Sequence, residues 1–451
     1  MKNKEKAIVV GAGLVGSLWS ILLAKRGYEV ALYERRSDVR KKGFIGGRSI
    51  NLAMSHRGWK ALEKAGVDQK IRDLSIPMHG RIMHSTTGEL TFQPYGKKNE
   101  AIYSVSRGGL NLELLRIAGT FDNVTMNFDE KCLGVNTKTK EVEFSNYSTK
   151  EKTSQQSDLI FGTDGAFSAI RDSLQRRPRF DYSQDYLEHG YKELSIPPLP
   201  NGDFALDKNA LHIWPRGHFM LIALPNIDGS FTCTLFLPFE GEVSFENLKT
   251  DETVLEFFEK YFADTIPLIP SLLEEFKENP TSALVTVKCS PWSYENKVML
   301  MGDASHAIVP FYGQGMNSGF EDCTVLDELI DINNGDWVET FKEFNEARIP
   351  DANAISELAK RNFVEMRDSV GNDLFLLRKK IEKHLNKKYP KQFLPVYSMV
   401  SFSHIRYSEA LAELDRQDRL FDHILAIDDI KNNWADNPQV DVVFQEWHEK
   451  N

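Results

Sequence analysis

Three glycines stand at a spacing that can press a backbone turn against a phosphate: Gly11-x-Gly13-x-x-Gly16. The first permits a tight turn. The second leaves the backbone bare for close approach to a pyrophosphate, and the third lets a helix pack against a strand. Glu34 follows about twenty residues on, where an acid accepts the hydroxyls of a ribose. A carboxylate there repels a 2′-phosphate, so the loop should hold FAD or NAD rather than NADP. Arg35 and Arg36 work against that exclusion, although a solvated loop is the commoner place for such a pair. A second feature is Asp164-Gly165 in GTDGAFSAIR, an acid–glycine pair that is also common in plain turns. The third is MGDASHAIVPFYGQGMNSGFED, from Met301 to Asp322. Asp303 ends a strand there and could accept hydrogen bonds from a sugar-alcohol chain. Gly313 to Asn317 precede a helix, so their N–H groups turn toward something electron-rich. A reduced flavin carries such charge at its N1–C2=O2 edge. His306, set among small residues, reads as a packed structural histidine.

The elements that must position these residues are legible in the periodicity. KAIVV (Lys6–Val10) reads as a buried strand, LVGSLWSILLAKRG as a helix ended by Gly27, and EVALYE (Glu29–Glu34) as a second strand. Such a βαβ unit is parallel and right-handed. Ser55 to Ala65 reads as an N-capped amphipathic helix. From Pro77 to Tyr95 an alternating pattern interrupted by Thr-Thr-Gly-Glu predicts a hairpin. A helix follows over Leu110–Gly119, then strands over Thr125–Phe128, Gly134–Thr137 and Val142–Phe144. SDLIFGTDGAFSAIR is again strand, turn, helix. Residues 180–288 carry short alternating runs and predict a mainly antiparallel sheet, the floor of a pocket. Beyond Ile355 the chain reads helical, with breaks at Pro390 and Pro395. The expected class is therefore α/β. A Rossmann-like nucleotide domain of residues 1–75, 100–180 and 289–355 is interrupted by a β-sheet substrate domain of residues 76–99 and 181–288. A helical domain of residues 356–451 follows.

Composition limits the rest. With 451 residues the chain is long enough for more than one core, and 41% hydrophobic and 27% charged residues are ordinary for a globular protein. A net charge of −10 argues against a nucleic-acid surface, which needs a basic stripe. The four cysteines lie far apart without a CxxC pair, so neither a metal site nor a disulfide framework is expected. No apolar run could span a bilayer, and the N-terminus lacks a secretory core, so a cytoplasmic location is expected. The basic stretch LRKKIEKHLNKKYPK reads as a solvated helix face, with anionic lipid as the alternative. Trp214, Trp292 and Trp337 read as core or rim.

The glycine triplet, Asp164-Gly165 and Gly302-Asp303, in this order and at these separations, resemble the single-component flavin monooxygenases that hydroxylate aromatic rings, the hydroxybenzoate-hydroxylase fold. The resemblance covers most of the chain. Within that family the chain is most similar to the kynurenine-hydroxylating branch. The likeness is carried by GRSINLAMSHRG (Gly47–Gly58), GRIMHS (Gly80–Ser85), PYG (Pro94–Gly96), VPFYGQGMNSGFED, RNFVEMRD (Arg361–Asp368) and PVYSMVSFSHIRYSEA (Pro395–Ala410). The resemblance implies Glu34 on the adenosine ribose, Asp303 on the ribitol and Arg107 on the flavin chain. It implies Asp164 where pyrophosphate and nicotinamide traffic is organised. Gly11, Gly13, Val15, Gly16, Arg35, Ala53, Gly315, Met316 and Asn317 complete the expected cofactor site. The substrate carboxylate falls to Arg81 and Tyr95, with Asn362 and Tyr397 reaching in from the tail and Phe311 and Tyr312 forming an aromatic loop beside the flavin. Tyr312 departs from the Phe or His expected at that place.

The implied reaction is NADPH- and O2-dependent hydroxylation of L-kynurenine to 3-hydroxy-L-kynurenine by way of a flavin C4a-hydroperoxide. FAD would be tightly bound and NADPH transient, with no certain catalytic side chain. Eukaryotic members carry a C-terminal membrane segment, and the polar C-terminus here suggests a bacterial-type form without an anchor, as monomer or homodimer. Three other readings fit the same motifs less closely: a hydroxylase of another aromatic acid, phenol or quinone precursor; a flavin reductase or halogenase; and a nucleotide sensor.

Overall fold

The computed structural model describes residues 5–42, 51–97, 100–366 and 373–449. Residues 47–50 and 367–368, within two of the stretches singled out above, lie outside them. The first apolar run forms β1 (Lys6–Val10), the glycine turn leads into α1 (Leu14–Lys25), and β2 (Glu29–Tyr33) follows. β1 pairs in parallel with β2 and with Leu159–Gly162, setting Ala7 opposite Val30 and Leu159. Strands Ser293–Tyr294, Val298–Leu300, Leu159–Gly162, β1, β2 and Val124–Asn127 lie side by side in one six-stranded sheet. Its central strands are apolar throughout (Val9, Ile160 and Phe161 are all buried), as a sheet covered on both faces requires. A three-stranded antiparallel sheet at its side contains Lys152–Gln156, a strand whose polar sequence gave no warning of it.

A second, seven-stranded sheet runs Ser282–Ser290, Asp181–Ile196, Phe231–Pro238, Met220–Pro225, Ala210–Pro215, Gly80–His84, Leu90–Pro94. The hairpin expected around Thr86 is therefore its edge, joined to Ala210–Pro215 by the sheet's one parallel pairing. Alternation along Gly80–His84 sends Arg81 and Met83 to one face and Ile82 and His84 to the other. The face opposite Arg81 is covered by helices Asp251–Tyr261 and Leu272–Glu278, inside the region read above as strands. Val254, Phe257 and Phe258 repeat at helical spacing and bury against the sheet, and Thr250 with Thr253 closes a capping box.

The tail is helical as expected. Asp373–Lys388 stops before Pro390, and Pro395 precedes Val396–Phe402. The basic stretch is a helix with one packed face, where Leu377, Ile381 and Leu385 are buried, and one solvated face, where Lys380, Lys383 and Lys387 are exposed; Arg378 pairs with Asp418, and Lys388 pairs with Asp441. Trp214, Trp292 and Trp337 are core residues. Ser55 does precede helix His56–Ala65, but its hydroxyl makes no cap; it lies 3.5 Å from Gln314 Oε1 instead. Among the described residues no helix is long and apolar enough to cross a membrane.

A buried ionic cluster joins these parts. Asp322, fully buried in helix Gly315–Ile332, accepts from His306 Nε2 (2.6 Å), Arg348 Nε (2.9 Å) and the Gly302 N–H (2.9 Å). His306 stacks on Trp292, in keeping with a structural role. Burial raises the Asp322 pKa, and the His306 and Arg348 charges outweigh it, leaving the carboxyl below its ordinary value. A lowered folded-state pKa contributes stability above the unfolded value, near 3.9, that is lost as pH falls through the folded one. Asp322→Asn should therefore cost about 3 kcal/mol at pH 7, since Arg348 keeps Glu321 and Asp351 as partners. Melting curves from pH 7 downward should show the gap to wild type narrowing below about pH 4. A constant gap would mean that the lost contribution was packing rather than charge.

Candidate functional site

The glycine turn between β1 and α1 is built as its spacing demands. Gly11 sits at φ +100°, and a Cβ there would stand 2.5 Å from the Thr163 carbonyl oxygen. A Cβ on Gly16 would meet the Gly11 carbonyl oxygen at 1.9 Å. Gly13, by contrast, faces open space, and as the N-cap of α1 it leaves the first N–H groups without a side-chain cap. Glu34 reaches the same turn: Oε2 accepts from the Ala12 N–H (3.0 Å), and Oε1 accepts from Arg36 Nε (2.8 Å). Burial raises its pKa, but Arg36 and the Ala12 N–H more than offset that, so the carboxyl titrates below its ordinary range. Of the two arginines it is Arg36 that pairs with Glu34, while Arg35 is exposed.

Two further turns close on this one. Thr163 donates from Oγ1 to Val10 O and Gly11 O (2.8 Å each), fastening the Asp164 turn beside the glycines. The Asp164 carboxylate is committed locally, accepting from Ser168 Oγ (2.5 Å) and the Ala169 N–H (2.7 Å) at the start of the next helix. Val15 fills the gap left by Gly302 and Gly319: a Cβ on either would come within 2.8 Å of its methyl. That contact brings the Gly302-Asp303 turn and the N-terminus of helix Gly315–Ile332 against α1. Asp303 is exposed. The helix begins at Gly315, so Gly315, Met316 and Asn317 are its first turn rather than its approach, and no side chain caps them. Asn317 works as a latch. Its Oδ1 accepts from the Ser55 N–H (2.9 Å), and its Nδ2 donates to Ala53 O and Gly313 O (2.8 Å each). Only its backbone N–H is left for a ligand. Arg107 is exposed at the first position of helix Arg107–Ala118, away from any ion pair among the described residues.

The third component is a cation among tyrosines. The Arg81 guanidinium lies 5.3 Å from the Tyr95 ring and 5.0 Å from the Tyr397 ring. The rings of Tyr95, Tyr397 and Tyr312 stack in sequence, 5.3 and 5.6 Å apart. Arg81 Nε and the Tyr95 hydroxyl are buried without a hydrogen-bond partner, and among the described residues no carboxylate pairs with Arg81. Burial opposes its charge, but the fields of Tyr397, Tyr95 and Glu365 leave its pKa raised. Burial likewise pushes the Tyr95 hydroxyl up, so it stays a donor at neutral pH. A buried donor without a partner costs about 1–3 kcal/mol, more when charged, and a native fold keeps such a group where a ligand meets it. Asn362 Nδ2 donates to Phe311 O (2.6 Å) and so holds the aromatic loop. Phe311 itself turns onto Phe363 and Phe236.

Comparison with known proteins identifies the family. Residues 4–335 match the family described as FAD binding domain. The kynurenine 3-monooxygenase of Flavobacterium psychrophilum is 50% identical over 434 residues, 96% of each chain. That of Flavobacterium johnsoniae is 50% identical over 441 residues, 98% of each chain. The chain belongs to the kynurenine 3-monooxygenase family. It is an FAD-dependent monooxygenase. Among solved structures, the tetrameric form of 2-methyl-3-hydroxypyridine-5-carboxylic acid oxygenase superposes with a TM-score of 0.67 at 18% identity, covering 84% of this chain and 97% of that one. At that identity the likeness concerns the fold.

FAD, the cofactor of this monooxygenase family, fits the residues present. The open space over Gly13 admits a pyrophosphate where a side chain would fill it, and the uncapped starts of α1 and of Gly315–Ile332 offer free N–H groups to its two ends. Several participants escaped the sequence reading. The Thr163 hydroxyl, Gly319 and the Gln314 side chain carried no distinctive signal. Arg57 did: it shares the apolar face of its helix with Ala61 and Ala65, where a lone arginine requires a partner.

Proposed function

We propose that this monooxygenase hydroxylates L-kynurenine to 3-hydroxy-L-kynurenine, with NADPH and O2 as co-substrates. The observation that carries the substrate is Arg81, an unpaired cation beside an unpartnered tyrosine hydroxyl at the bottom of an aromatic stack. A planar fork of donors suits a carboxylate, and Tyr95 supplies a further one. Flat walls of Tyr312 and Tyr397 suit an aromatic ring. The curated relatives bear the name of this activity.

The chain would hold FAD by three contacts: the pyrophosphate over Gly11, Gly13 and Gly16, the adenosine ribose at Glu34, and the ribitol at Asp303. The N–H groups of Gly315, Met316 and Asn317 would face the negative edge of the ring, with Val15, Ala53 and Arg107 around it. Bound FAD supplies the redox chemistry with NADPH and oxygen. The side chains position the substrate and exclude water. The 2-amino group of kynurenine already activates the carbon ortho to it. No base that ionises the substrate is then needed.

Purified holoenzyme should show a flavin spectrum. L-kynurenine should stimulate its NADPH oxidation and yield one product heavier by a single oxygen. Equal stimulation by salicylate, hydroxybenzoates or simple phenols would assign a different ring substrate. A flavin spectrum without NADPH turnover would favour a sensor.

A further inference from the structure

We propose that Tyr407 is a positioning residue for the flavin-facing turn, coupling it to the tail that carries Tyr397. The inference rests on the placement of the flavin given above, and not on the identity of the substrate. Tyr407 opens helix Tyr407–Leu425 and is fully buried. Its hydroxyl donates to Gln314 Oε1 at 2.9 Å. Gln314, itself buried, is the residue that launches helix Gly315–Ile332, and its backbone carbonyl already accepts from the Ser318 N–H (2.8 Å). The turn it belongs to is intrinsically loose: Gly313 lies at φ +67°, Gly315 follows, and no side chain caps the helix. The direction in which the Gly315–Asn317 N–H groups point is therefore set by Gln314 and the Asn317 latch.

Tyr407 is held in turn. The Arg57 guanidinium covers its ring at 3.9 Å. Arg57 also donates to the carbonyls of Val400 (3.2 Å) and Ile405 and pairs with Glu321 on the flavin-facing helix. The two carbonyls bracket the end of helix Val396–Phe402, on which Tyr397 stands between Tyr95 and Tyr312. One buried arginine thus fixes the substrate wall, and the ring beneath it fixes the flavin turn. Removing the hydroxyl leaves Gln314 Oε1 with only the 3.5 Å contact to Ser55, so the amide and the turn lose their orientation while the ring keeps its packing.

The test compares FAD dissociation from holoenzyme variants on dilution, followed by flavin fluorescence. Tyr407→Phe and Gln314→Met should each raise the dissociation constant about three- to tenfold, and the double variant no more than the larger single. Both should also release more peroxide per NADPH oxidised in the presence of L-kynurenine. Ser408→Ala, which removes a 2.6 Å bond to Asp351 one residue away without touching the turn, should leave FAD affinity unchanged. An unchanged constant for Tyr407→Phe, an equal rise in Ser408→Ala, or additive effects in the double variant would each overturn the coupling. Asp303→Ala separates the two claims. If it raises the constant while Tyr407→Phe does not, only the coupling fails; if neither does, the flavin placement fails as well.

Discussion

Gly13→Ala should yield a folded protein that no longer retains FAD. Gly13 has an ordinary extended conformation, φ −74° and ψ −171°, which alanine adopts freely. A Cβ there meets nothing within 4 Å in the polypeptide, so packing does not resist it. The only thing the methyl can obstruct is whatever occupies the open space over the turn. Loss of close backbone approach to a pyrophosphate should weaken FAD binding by roughly two orders of magnitude, a few kcal/mol of charge-assisted hydrogen bonds. Gly16→Ala should fail in another way. Its Cβ would collide with the Gly11 carbonyl oxygen and press on the Thr163 hydroxyl, so the β1–α1 packing itself gives way. Overpacking of that kind costs about 1–3 kcal/mol or more. Flavin content as purified, set beside the melting temperature of the flavin-stripped protein, separates the two. If Gly13→Ala retains a full complement of flavin, the pyrophosphate does not lie over this turn.

Arg81→Met should raise the KM for L-kynurenine by roughly 10²- to 10³-fold, about 3–4 kcal/mol of a desolvated charge contact. Stability should not suffer. Arg81 has no ion pair among the described residues, and an apolar side chain of similar length relieves a buried charge. A variant that melts at or above the wild-type temperature yet scarcely binds kynurenine would mark Arg81 as a ligand-binding group rather than a structural one. Arg81→Lys should recover only part of the affinity, because an ammonium cannot present two parallel donors to a carboxylate. Unchanged kynurenine affinity in Arg81→Met would remove the carboxylate assignment outright.

Much of this arrangement was legible in advance, for reasons that are local. Gly11 and Gly16 stand where a Cβ cannot fit and Gly13 leaves the backbone bare between them, so the βαβ unit follows from spacing. The alternation around Arg81 predicts the hairpin, and that hairpin forms. Other expectations came through the family likeness, because Tyr95, Tyr397 and Asn362 are unremarkable polar residues in the sequence. For Asn362 the structure adds a contact that the likeness did not imply: its amide nitrogen holds the Phe311 carbonyl. Asp164 is similar, its turn lying beside the glycines as the likeness implied while its carboxylate caps its own helix. Helices Asp251–Tyr261 and Leu272–Glu278 were missed because phenylalanine-rich segments read equally well as strand when the period is not counted.

The amino-acid order alone determined most of the elements and the chemistry available at each turn: a bare backbone at Gly13, a carboxylate at Glu34 and another at Asp303, a cation at Arg81. Those properties depend on neighbours a few residues away, and short-range sterics and periodicity set them. Which of these groups would stand free, and which would be consumed by other protein atoms, was decided only when distant segments met. Arg57 and Arg81 illustrate the difference. Both are arginines on partly apolar elements, yet the fold pairs the first with Glu321 and two tail carbonyls and sets the second against the rings of Tyr95 and Tyr397, with no ion pair among the described residues. A buried charge must be answered by something, and the arginine without an ion pair among the described residues is the one that the proposed function gives to the substrate.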